Sequence, residues 1–142
     1  MINSIIGAIS ISLNAEFGDD YEVHPEEIKQ DLEEPCFFVF CLNPSTELFL
    51  GKRYFKTNNF CIQYFPATDD AQQECNDVAE RMTWALEYIT LDDGPIRGTN
   101  MRYEVVDDVL NFFVNYDYFM YRIEETMTME TMESGTKVKG GD

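Results

Sequence analysis

Residues Cys36-Phe37-Phe38-Val39-Phe40-Cys41-Leu42 form an unbroken apolar run, rich in aromatic side chains. Seven residues are short for a buried helix, and they do not alternate, so the run reads as a strand covered on both faces. Such a strand cannot stand alone. It needs neighbouring strands and a packed layer above it, which commits the chain to a sheet with a hydrophobic core. A chain of 142 residues, 44% hydrophobic and 14% aromatic, is enough for one core of this kind and excludes global disorder.

The flanking sequence supplies the other elements. Ile2, Ile5, Ile6, Ile9, Leu13 and Phe17 recur every three or four residues, one face of an amphipathic helix over 2–17 that Gly18-Asp19-Asp20 stops. Tyr21-Glu22-Val23-His24 suggests a short strand running into Pro25. After the apolar run, Asn43-Pro44-Ser45 reads as a break. Residues 52–65 then alternate Phe60, Ile62 and Tyr64 with Asn59, Cys61 and Gln63, as a return strand does. Thr68-Asp69-Asp70 provides an N-cap for a second helix over roughly 69–89, with acidic residues in its first turn, and Asp92-Asp93-Gly94-Pro95 ends it. Two strands, 99–106 and 109–121, are separated by Asp107-Asp108 as a tight hairpin turn.

The order is helix, strands, helix, strand hairpin. The expected fold class is α+β, an antiparallel or mixed sheet of about four to five strands with two main helices packed on one face. One domain is expected over residues 1–122. From Ile123 onward Glu, Thr, Met, Ser, Gly and Lys replace the core pattern, so 123–142 is expected to be a flexible, disordered tail.

Charge narrows the function. Asp and Glu total 27 against 10 Lys and Arg, a net charge of −17. That balance repels phosphate backbones and anionic lipid, so neither sequence-specific nucleic-acid binding nor membrane docking is expected. No apolar run approaches the roughly 20 residues that span a bilayer, and Met1–Ile6 lacks the basic start of a signal peptide. Cys36, Cys41, Cys61 and Cys75 sit among aromatic and aliphatic neighbours without a CxxC, and read as buried reduced thiols in a cytosolic compartment.

The inventory of chemical groups is thin. His24 is the single histidine, and no second His or suitably placed Cys completes a zinc set. Glu26, Glu27, Asp31, Glu33 and Glu34 form a dense carboxylate cluster, but neither they nor the acid pairs at 69–70, 92–93 and 107–108 match a calcium-loop spacing. Acid pairs at turns are ordinary turn and capping chemistry. No serine sits in a G-x-S-x-G setting, and the glycines form neither a P-loop nor a dinucleotide fingerprint. The expectation is no catalytic residue, no metal site, no cofactor, and no enzyme.

Two surface features remain. Leu48-Phe49-Leu50-Gly51 puts apolar residues in what reads as a loop; either it folds back on the core or it marks an interface. Lys52, Arg53, Tyr54 and Lys56, with Arg97 and Arg102 further on, concentrate positive charge in an acidic chain. On a solvated strand face they would do little, but against the acidic surface of a neighbouring copy they would give register and specificity. The candidate subunit interface is therefore Leu48, Phe49, Leu50, Lys52, Arg53, Tyr54, Lys56, Arg97 and Arg102.

The chain also resembles a known family, the phage tail terminator proteins of tailed phages, prophages and phage-tail-like bacteriocins of Gram-positive hosts. The matching stretches are Glu34-Pro35-Cys36-Phe37-Phe38, Leu42-Asn43-Pro44-Ser45, Leu50-Gly51-Lys52-Arg53-Tyr54, Tyr64-Phe65-Pro66, Ala85-Leu86-Glu87-Tyr88-Ile89 and the segment from Arg97 to Asp107. They span roughly residues 1–122 in the same order. The resemblance implies a structural role: a hexameric ring that caps the tail tube, ends its polymerisation and offers a surface to the head connector. Its implied partners are further copies of itself, tube and sheath proteins, and a head connector or neck protein. The implied place is the head-proximal end of the tail of a virion or phage-tail-like particle, assembled in the host cytoplasm. It carries no catalytic residues over. The alternatives are a head–tail neck or completion protein, and a monomeric acidic module that grips a basic protein.

Overall fold

A computed structural model describes residues 1–24 and 34–122. Helix α1 (Ile2–Phe17) and helix α2 (Ala71–Ala85) accompany eight strands: β1 (Glu22–His24), β2 (Cys36–Leu50), β3 (Arg53–Phe65), β4 (Tyr88–Leu91), β5 (Gly94–Arg97), β6 (Thr99–Val106), β7 (Val109–Asn115) and β8 (Tyr118–Tyr121). The class is α+β, as expected. Six strands make one sheet in the order β1-β2-β3-β7-β6, with β8 also pairing β3; β4 and β5 form a separate two-stranded sheet. The main sheet is mixed because β1 runs parallel to β2, with Val23 opposite Phe37.

The apolar run at 36–42 opens β2, and its two faces go to different neighbours. Phe37 and Val39 join the main core, where α1 contributes Ile5, Ile9, Leu13 and Phe17 and α2 contributes Cys75, Val78, Ala79 and Met82. Phe60, Ile62 and Tyr64 of β3 and Leu110, Phe112 and Val114 of β7 complete it from the same side of the sheet. Both helices thus cover one face. Each fully buried Ile, Leu or Phe contributes about 1.5–3 kcal/mol by leaving water, and together they fix the register of the strands. On the opposite face Cys36 and Phe38 are also buried, Phe38 under the rings of His24, Phe40 and Phe65.

Three boundaries differ from expectation. Asn43-Pro44-Ser45 does not end β2, which continues to Leu50. Among the described residues β1 covers β2 only at 36–38, so the rest of β2 is an edge, where a proline whose nitrogen faces outward costs no ladder hydrogen bond. Leu48–Leu50 is therefore strand, not loop. Helix α2 ends at Ala85 instead of near 89, because Ile89 turns inward as part of a β4–β5 hairpin closed by Asp92-Asp93. The junction is held by Gly98 N–H donating to Glu87 O (2.7 Å) and Tyr116 Oη donating to Leu86 O (2.5 Å). Lastly, residues 109–121 are two strands. Asn58 interrupts them: its amide donates to Asp117 Oδ1, its Nδ2 donates to Tyr116 O, and its O accepts from Tyr116 N–H.

The chain falls into two units, Met1–Thr46 with Lys56–Tyr118, and Glu47–Phe55 with Phe119–Asp142. The first holds the core. The second contains the far ends of β2 and β3 and most of β8. The flexible tail expected over 123–142 lies outside the described residues, as do four acids of the 26–34 cluster.

Candidate functional site

The second unit is organised around one arginine. The two-residue turn Gly51-Lys52, with Gly51 at φ +58°, joins Leu50 of β2 to Arg53 of β3. A left-handed φ is cheap for glycine and costs other residues about 1 kcal/mol or more. Arg122 N–H donates to Lys52 O at 3.0 Å and brings the chain after β8 alongside the turn. Phe119 of β8 then meets Phe49 edge-on, with ring centroids 5.1 Å apart, and Phe55 at 4.9 Å. The Arg53 guanidinium lies 4.4 Å from the Phe119 centroid and 5.8 Å from that of Phe49.

This cluster is not a small core. Leu48, Phe49 and Leu50 are 64%, 59% and 73% exposed, and Phe119, Met120 and Tyr121 are exposed beside them. Lys52, Arg53 and Arg122 stand against a single acid, Glu47, so the described part of this unit is net positive in a chain of −17. A guanidinium held over two rings has its rotamers limited, and among the described residues Arg53 makes no side-chain hydrogen bond, as a preformed binding group requires.

The nine candidate residues divide between the two units. Leu48, Phe49, Leu50, Lys52, Arg53 and Tyr54 belong to the second unit, Tyr54 half-buried there. Lys56 belongs to the first, where its Nζ donates to Thr46 Oγ1 at 2.8 Å. Arg97 is also in the first unit, 3.5 Å from Glu87 Oε2 and 5.8 Å over the Tyr88 ring. Arg102 donates to Asn100 O at 3.1 Å and lies 4.9 Å over Phe113. Phe55 lies inside the basic segment 52–56 without being one of the nine, and Phe119 and Arg122 lie outside the expectation. The signal for these last two is the run Tyr118-Phe119-Met120-Tyr121, four apolar residues without alternation just after the last core strand.

The histidine and the cysteines of the first unit serve its structure. His24 Nε2 lies 3.1 Å from Glu22 Oε1 and its ring stacks on Phe38. The four cysteines are free, Cys41 half-buried and the others buried. Burial, then the nearby Glu34 and Glu22 carboxylates, push the Cys36 thiol up to about 11; burial, then Glu104, do the same at Cys61. Such thiols are poor nucleophiles near neutral pH. Among the described residues no three His, Cys, Asp or Glu side chains converge to hold a metal ion, and no helix is long and apolar enough to cross a membrane.

A family model described as phage tail terminator protein matches residues 4–128, most of the chain. The chain belongs to the phage tail terminator family. A role in the phage tail follows, with association to other tail or head proteins and a place on the tail of the virion. No curated protein gives a significant match. For a phage tail terminator protein the exposed tip around Arg53 is the feature to explain, because assembly is done by surfaces.

Proposed function

We propose that the protein is a structural tail terminator whose copies close into a ring, hexameric as the family resemblance implies. The ring caps the tail tube, ends its polymerisation and presents a surface to the head connector at the head-proximal end. Its candidate subunit contacts are Leu48, Phe49, Leu50, Lys52, Arg53, Tyr54 and Lys56, with Arg97 and Arg102 as separate cationic points. The observation that carries this reading is the tip itself, an exposed aromatic cluster with net positive charge on a strongly acidic chain. A subunit of this charge repels its own copies until opposite charges are brought together at each contact. A contact between two different patches generates a ring when the rotation closes.

The test is native mass at micromolar concentration, alone and with the phage's own tube and sheath proteins, followed by electron microscopy of tube ends. A closed ring on the tube end is expected. A strict monomer in every mixture overturns the reading. Arg53→Glu is expected to stay folded by circular dichroism and to lose assembly, since it reverses the charge at the centre of the tip.

A further inference from the structure

A ring built from two different patches needs a receiver for the tip. The face of the main sheet opposite the helices offers one. There, β3, β7 and β6 present the side chains that alternate with the core. Cys61 is opposite Phe113, Gln63 opposite Asn111, Glu104 opposite Asn111, and Val106 opposite Val109. Gln63, Glu104, Val106, Val109, Asn111 and Phe113 border an open hollow of about 490 Å³. Its floor is tied by Gln63 Nε2 donating to Asn111 Oδ1 at 3.0 Å, and its walls are Phe65, Phe113 and Val106.

Two carboxylates stand on its rim, Glu104 and Asp107. Three acids of this unit are committed elsewhere, Glu16 to Arg81, Glu87 to Arg97, and Glu74 to four hydrogen bonds. Glu104 and Asp107 have no cation partner among the described residues. Asp107 and Asp108 also hold the hairpin turn at φ +51° and +62°, where Asn-Gly relieves the strain. Negative charge is present there at a backbone cost.

Resting on the ring reading, we infer that this hollow receives the Arg53 tip of the next copy. The occupant is a second copy of this chain because its tip complements the hollow in each respect. The Arg53 guanidinium answers Glu104 and Asp107, and Leu48 and Phe49 answer Phe65, Val106 and Phe113. Glu47, the one acid of the tip among the described residues, answers Arg102, which stands over Phe113 on the same face. An arginine flanked by aromatic rings and entering an apolar hollow is the composition that dominates interface energies. The contact is heterologous, so each copy gives one tip and takes one.

Charge exchange tests it. Arg53→Glu alone and Glu104→Arg alone are each expected to lower the assembled fraction at least tenfold. The double variant carries both changes in every chain and is expected to recover most of it. A double variant no better than the singles, or full assembly by Glu104→Arg alone, overturns the contact. A second measurement does not depend on charge. Leu48→Cys with Val106→Cys is expected to give a covalent ladder of copies on oxidation, beyond that of either substitution alone. Wild-type rings with neither ladder nor rescue would remove this contact and leave the ring standing. Absence of any ring, with tube protein present, removes both.

Discussion

Tyr64 Oη donates to Glu74 Oε2 at 2.5 Å, joining the end of the central strand β3 to the first turn of α2. The same carboxylate accepts from Ala67 N–H, Thr68 N–H and Thr68 Oγ1. One side chain therefore satisfies the connection that turns the chain from sheet to helix. Tyr64→Phe is expected to cost about 1.5–3 kcal/mol, the range for a hydrogen bond to a charged group. Glu74→Ala is expected to cost more, because it leaves the Tyr64 hydroxyl and two amides without their acceptor. Urea midpoints of the three proteins at pH 7 measure both.

The same contact gives a pH dependence of known sign. Burial opposes ionisation of Glu74, but hydrogen bonds from the Thr68 side chain, Tyr64 and the Ala67 and Thr68 amides outweigh it and hold the carboxyl below its ordinary 4.5. A lower pKa in the folded state means stability that is complete above pH 4.5 and is lost as pH falls through the folded value. The stability gap between wild type and Glu74→Gln is expected to be widest near neutrality and to narrow below pH 4.5. A gap that widens on acidification would show that the bond favours the protonated acid.

Gly98 is required by space, not by its backbone angle. A Cβ there would lie 2.8 Å from Leu86 O and 2.8 Å from Val114 Cγ2. Gly98→Ala is expected to destabilise by about 1–3 kcal/mol, as overpacking does, and thermal melting reads it directly.

At the β6–β7 turn stability and assembly are expected to part. Replacing Asp107-Asp108 by Asn-Gly suits the two left-handed angles and is expected to raise monomer stability by about 0.5–1 kcal/mol. The same change removes a carboxylate from the rim of the hollow and is expected to weaken ring formation. Melting temperature and native mass on one sample decide it. Gain on both counts would mean the acids serve neither turn nor contact.

Local patterns account for what was legible in the sequence. Ile5, Ile9 and Leu13 repeat at helical spacing, Phe60, Ile62 and Tyr64 alternate, and each set faces the core its period predicts. The Asp107-Asp108 hairpin was legible for the same reason. What was missed depends on partners distant in sequence. Pro44 looks like a strand break until β1 is seen to cover only three residues of β2. Tyr116-Asp117 reads as continuous strand until Asn58, nearly 60 residues earlier, takes its hydrogen bonds. The tip was half legible: Leu48–Leu50 and Arg53 stand out by composition, whereas Phe119 joins them only through the β3–β8 pairing.

Trp84 is the one tryptophan, and it lies 75% exposed on α2, on the helical side of the main sheet. Its emission is therefore a natural optical gauge of which side of the subunit becomes covered. Docking at the Glu104 hollow, on the far side, leaves that gauge in water with its colour unchanged, while any partner that settles over α2 shifts it to the blue.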